Sequence, residues 1–148
     1  MTRGPSQLTA QKMDYNPATG WMVAGDMVAS GSTILIDPSE GSMADYLESL
    51  DRMAAAAPRA LLPAHGPPIP DAGDKLTEYR SHRLWREQRV LDALAEHGPA
   101  TSRALVERAY ADVSPALHGL AERSLISHLV KLADDGRARQ DGEIWSPI

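Results

Sequence analysis

Short apolar runs set between chain breakers fill the first third of the sequence, and longer amphipathic stretches with clear ends fill the rest. Trp21–Ala24 and Thr33–Ile36 are apolar, partly β-branched runs bounded by Gly20, Gly25, Gly31 and Pro38, which predicts two neighbouring strands. Ser42 followed at the third position by Asp45 is a helix-capping signal, and Met43, Tyr46, Leu47, Leu50 and Met53 then recur at helical spacing until Pro58. Leu61-Leu62 predicts a brief buried strand opening into the rigid loop Pro63-Ala64-His65-Gly66-Pro67-Pro68, so His65 sits at a strand end. Strand, helix, strand over Thr33–Leu62 is the order of a small parallel or mixed sheet with a helix on its face.

A long helix is predicted from Asp71 to His97, with Leu76, Leu84, Leu91 and Leu94 as its apolar stripe and Gly98-Pro99 as its stop. Three compact units follow. A helix covers about Thr101–Ala109, and a second covers Ser114–Asp135, striped by Leu117, Ala121, Leu125, Leu129 and Leu132. Ser114-Pro115 suits its first turn and Gly136 the position just past its last. Arg137–Arg139 and Glu143–Trp145 flank Asp141-Gly142, a hairpin turn pair. Helix, helix, helix, hairpin is the winged-helix order. The expected class is α+β, with a poorly ordered lead-in at 1–19 ending in a turn at Asn16-Pro17. A strand-and-helix segment at 20–70, a linking helix at 71–97 and a winged-helix domain at 98–148 follow it.

Composition adjusts this picture. The 148 residues are 43% hydrophobic, enough for a core, but only 5% are aromatic and none is Phe, so that core rests on Leu, Ile, Val, Met and Ala. A formal charge of -5 argues against gripping nucleic acid by bulk electrostatics. The absence of cysteine excludes disulfides, thiolate zinc sites and cysteine nucleophiles. No apolar run approaches the ~18–20 residues of a membrane span, and no signal-peptide layout opens the chain. The expectation is a cytoplasmic protein with no membrane partner.

The candidate metal ligands are Asp26, after Gly25 at the end of the first strand, and His65, at the end of the third. Strand ends on one rim of a sheet converge; there a carboxylate can bridge two ions while an imidazole supplies a neutral nitrogen.

Their surroundings carry a resemblance. Gly25-Asp26, then Gly41-Ser42-Met43-Ala44-Asp45-Tyr46-Leu47-Glu48-Ser49-Leu50, then Leu61-Leu62-Pro63-Ala64-His65-Gly66-Pro67 resembles the latter half of a metallo-β-lactamase-fold hydrolase. Tyr79-Arg80-Ser81-His82-Arg83-Leu84-Trp85-Arg86-Glu87 and the winged-helix tail resemble the extension of the β-lactamase-like branch that includes single-strand endoribonucleases. The resemblance covers about residues 20–148 and implies part of an αββα sandwich over 20–70. It further implies that Asp26 matches the aspartate bridging two zinc ions and His65 the last histidine ligand of the second.

The family's His-x-His-x-Asp-His motif has no counterpart, because the histidines stand at 65, 82, 97, 118 and 128 and none precedes Asp26. Two ligands fall short of the three that a catalytic zinc normally has. The expectation is therefore the C-terminal portion of a metal-dependent hydrolase, with an incomplete zinc site and no activity alone, through a truncated gene, a partial sequence, a designed fragment or degeneration. The parent's substrate would be of phosphodiester (RNA), thioester or lactone class. Its sheet, left without the other half of the sandwich, would associate with itself through residues 21–37.

Arg80, Arg83, Arg86 and Arg89 recur every third residue and spiral around a helix. One reading pairs Arg83 with Glu87 and leaves the others solvated; the other lets Arg80, Arg83 and Arg86 receive an RNA phosphate while Trp85 stacks on a base. His82, His97, His118 and His128 read as surface or helix-packing residues. The alternative for the whole chain is a non-catalytic winged-helix module that binds nucleic acid or a protein partner, a role its balanced charges disfavour.

Overall fold

A computed structural model describes residues 14–31 and 33–148. Its elements run β1 (Asp14–Asn16), β2 (Trp21–Gly25), α1 (Met43–Ala55), β3 (Ala60–Pro63), α2 (Ala72–His97), β4 (Ala100–Thr101), α3 (Ser102–Ala109), α4 (His118–Asp134), β5 (Ala138–Asp141) and β6 (Ile144–Pro147). The class is α+β. The chain divides into two compact units: the chain to Ile34 with Ala44–Arg83, and Leu35–Met43 with Leu84–Ile148.

The first unit holds a mixed sheet in the order β1-β2-β3, in which β1 runs antiparallel and β3 parallel to β2. The alternation in β2 is complete: Met22 and Ala24 are buried, while Trp21 and Val23 are 36% and 46% exposed on the other face. α1 buries Tyr46, Leu47, Leu50 and Met53, the stripe its spacing predicts. Two expectations change. Asp14–Asn16, placed in the lead-in, is a strand, and Asn16 closes the turn after it by accepting from the Gly20 N–H at 2.8 Å. The lead-in at 1–13 lies outside the described residues. Thr33–Ile36 is not a strand. Side chains take the carbonyls that a ladder would have used: within the first unit Ile34 accepts from Arg83, and within the second Ile36 accepts from Ser127 Oγ at 2.6 Å.

The second unit is the winged helix. The latter part of α2 gives it Val90, Ala93 and Leu94, α3 gives Leu105 and Val106, and α4 gives Leu125, Leu129 and Leu132, all buried with Trp145 of β6. Val90, Ala93 and Leu94 of α2 pack into this core, so the compact unit takes in Leu84–Ile148 and extends beyond the expected winged-helix segment 98–148. Thr101 caps α3 by accepting from the Ala104 N–H at 3.3 Å. The expected Ser114 helix opens as a 3-10 turn, Pro115–Leu117, and Leu117 is 53% exposed rather than part of the buried stripe. Gly136 adopts φ +71, and the Gly136 N–H to Ala133 and Arg137 N–H to Leu132 bonds complete a left-handed stop for α4. β5 and β6 form the hairpin, and β4 adds a third strand in the order β4-β6-β5.

α2 differs most from expectation. Its buried positions include Leu76, Tyr79, Arg83, Arg86, Glu87, Val90 and Leu94, while Leu84 is exposed. The stripe has helical period, with two arginines and a glutamate inside it.

Candidate functional site

The site is a rim of the first unit's sheet. β2 ends at Gly25 and β3 at Pro63, and the Ala64 N–H donates to the Gly25 carbonyl at 2.8 Å, so parallel pairing brings the residues that follow side by side. Asp26 Oδ1 and His65 Nε2 stand 3.3 Å apart, with side chains 50% and 82% exposed.

The backbone around them is pinned. The Tyr46 hydroxyl donates to the Met27 carbonyl at 2.8 Å, tying α1 to the loop after β2. The Tyr79 hydroxyl donates to the Ala29 carbonyl at 3.0 Å and accepts from its N–H at 3.1 Å, tying α2 to the same loop. Burial raises the Tyr46 pKa to about 12 despite the Arg83 guanidinium beside it, so its hydroxyl stays protonated as the donor that bond requires. Ser30 closes the rim: its N–H donates to the His65 carbonyl at 3.4 Å and its hydroxyl to the Pro67 carbonyl. Gly66 sits at φ +91, and a Cβ there would come within 2.8 Å of the Ser30 Cβ. Sequence reasoning singled out Asp26 and His65 but missed the hydroxyl contacts of Tyr46 and Tyr79; Tyr46 lay in the apolar stripe of its helix, and Tyr79 stood outside the leucine stripe expected for α2.

Two donors bound to one tetrahedral ion by bonds of ~2.0–2.1 Å lie about 3.3–3.4 Å apart. The Asp26–His65 separation matches that edge. The number of donors does not match, because among the described residues no group of three His, Cys, Asp or Glu side chains converges. The pair fits as part of a metal centre and does not make one alone.

The proposed nucleic-acid contacts fall into separate settings. In the first unit, Arg80 Nε donates to Asp51 Oδ1 at 2.6 Å, and Arg83 is buried over the Tyr46 ring. In the second, Arg86 forks onto both carboxylate oxygens of Asp112 at 2.8 Å and also reaches the Ala109 carbonyl, while half-exposed Trp85 lies against the Arg86 and Arg89 guanidiniums. Arg86 lowers Asp112 to a pKa of about 2. The expected Arg83–Glu87 pair does not form. Glu87 lies instead with Lys131 at 3.1 Å and Arg137 at 3.6 Å, and beside wholly buried His128; burial works to raise its pKa, but His128 and Lys131 hold it below the usual value. Among the described residues no helix is long and apolar enough to cross a membrane.

Residues 101–145 match the "Beta-lactamase associated winged helix domain" family. Over 116 residues the chain is 31% identical to the "Beta-lactamase-like protein 2 homolog" of Caenorhabditis elegans, covering 78% of this chain and 38% of that protein. A metallo-β-lactamase family protein from Thermus thermophilus superposes with a TM-score of 0.76 at 22% identity. A β-lactamase domain protein from Burkholderia ambifaria does so with the same TM-score at 25%. Each alignment covers 92% of this chain and 44% of the other. The chain shares the fold of these metallo-β-lactamase-family proteins. It spans about two fifths of the length of the relatives it matches. The residues that match the winged-helix family, 101–145, lie within the second unit.

Proposed function

We propose that this chain supplies one side of the metal centre of a metallo-β-lactamase-superfamily hydrolase, with Asp26 and His65 as donors. The observation that carries the reading is their 3.3 Å approach on a rim tied by backbone-directed contacts from four residues, Tyr46, Tyr79, Ser30 and Ala64. Such bracing holds donors in place before an ion arrives, which reduces the ordering cost of binding. Zinc, when bound in such a site, supplies Lewis-acid activation for hydrolysis. Within this chain Asp26 holds a carboxylate and His65 a ring nitrogen in mutual reach; the further donors would come from the portion of the fold that the longer relatives possess beyond the aligned segment. By itself the chain is expected to be inactive.

The winged-helix alternative draws less support from the structure. Arg123 pairs with Asp37, Lys131 with Glu87 and Asp135, and Arg137 with Glu87, so these cations of the unit are engaged within it. A packing or substrate-shaping role suits it better.

The test is a chimaera in which residues 14–148 replace the aligned segment of the Thermus thermophilus protein. Zinc content, measured by elemental analysis, should approach that of the unaltered parent and fall in both Asp26→Ala and His65→Ala. Zinc content indifferent to both substitutions in a folded chimaera would remove the two residues from the centre.

A further inference from the structure

Beside the rim, and wholly within the first unit, lies a cavity of about 420 Å³. Ser30 and Thr33 of the loop after β2 line it together with Lys75, Tyr79, His82 and Arg83 of α2. Its unusual member is Arg83. The residue is 4% exposed, it donates to the Ile34 carbonyl and lies over the face of Tyr46, and its Nε has no hydrogen-bond partner. No carboxylate among the described residues pairs with it. A buried guanidinium without a counter-charge is costly, since buried charges are stable only when paired and hydrogen-bonded. Glu78, also on the wall, is exposed and holds Lys75 at 2.7 Å, which leaves the Arg83 charge uncompensated.

We propose that this cavity binds the oxyanion group, carboxylate or phosphate, of a small molecule, with the Arg83 guanidinium as the selecting charge and Lys75 and the Thr33 hydroxyl around it. A planar guanidinium suits either oxyanion. Its burial argues for a small ligand that enters the cavity, because a polymer backbone lying on the surface would not reach it. The inference goes beyond the metal-donor reading and stands without it; the two are separable because this site needs no metal and neither Asp26 nor His65.

The test titrates the full chain with inorganic phosphate and, separately, with acetate at constant ionic strength, following backbone amides and arginine Nε–H groups by NMR. Saturable shifts at Arg83, Ser30 and Thr33 are expected with at least one probe. Lys75→Gln should weaken binding about 3- to 10-fold, as loss of a charged hydrogen-bond donor implies, and Arg83→Gln should abolish it. Arg139→Gln, on the hairpin, should bind as the unaltered chain does. If Arg83→Gln fails to fold, Lys75→Gln carries the test. No saturable shift with either probe, or a shift untouched by Lys75→Gln, would overturn the proposal.

Discussion

In the unit built from Leu35–Met43 and Leu84–Ile148, buried charges meet partners: Arg86 forks onto Asp112, Glu87 takes Lys131 and Arg137, and Asp37 takes Arg123. In the sheet unit no carboxylate among the described residues pairs with buried Arg83, and Asp26 and His65 stand half or more exposed on a rim. The winged-helix unit thus pairs these buried charges internally. The sheet unit keeps a carboxylate and an imidazole together on an open rim and a buried cation on a cavity wall. A shared helix, α2, runs through both compositions, and its arginines follow the rule of whichever unit contains them.

Perturbations can break or sharpen this contrast. The largest effect is expected from Leu129→Ala, which empties a fully buried position of the winged-helix core and should cost about 2–5 kcal/mol; hydrogen exchange should show the loss in α3, α4 and the hairpin. Gly66→Ala should cost about 1–3 kcal/mol, because the left-handed φ and the Ser30 Cβ both oppose it. That loss should appear as faster exchange at Ser30 and Ala64. Acid should weaken the winged helix selectively. The folded pKa of Asp112, about 2, lies below its unfolded value. Its contribution is therefore complete above about pH 4 and is lost as the pH falls toward 2, with Glu87 acting in the same direction. Since Asp112 is 40% exposed, screening limits this to about 1 kcal/mol, and Asp112→Asn should remove that part of the acid sensitivity in a pH series of melting curves. The smallest effect on stability is expected from Val23→Thr, within about 0.5 kcal/mol. The same substitution should reduce any concentration-dependent association seen by light scattering, because Trp21 and Val23 are the large apolar residues that β2 leaves exposed.

What the sequence made legible follows the same division. α3, α4 and the hairpin announced themselves because spacing, caps and turn residues agree at Thr101, Gly136 and Asp141-Gly142. β1 did not, since Asp14-Tyr15-Asn16 has neither length nor apolar character and is a strand only through its pairing with β2. Thr33–Ile36 carried strand composition without strand partners, and side-chain donors settled its backbone instead. The buried stripe of α2 was hidden by chemistry: a search for leucines passes over Arg83 and Arg86, although their positions fit the helical period better than Leu84 does. The strand-end positions of Asp26 and His65 were legible, and the structure sets the two side chains 3.3 Å apart; the ligand roles came only from the family resemblance. The tyrosine hydroxyls that brace the Asp26 loop depend on contacts 19 and 50 residues apart, which no local pattern encodes.

The measurement that bears most directly on the central claim is a zinc titration of the chelator-treated chain, followed by calorimetry and by the histidine ring signals. Two donors at 3.3 Å should bind zinc with a dissociation constant weaker than micromolar, shift the His65 ring before the other histidines, and lose that shift in Asp26→Ala. A one-to-one site tighter than micromolar, abolished in both Asp26→Ala and His65→Ala, would show that this chain completes a metal centre by itself; zinc that leaves the His65 ring untouched would show that the pair is no donor at all.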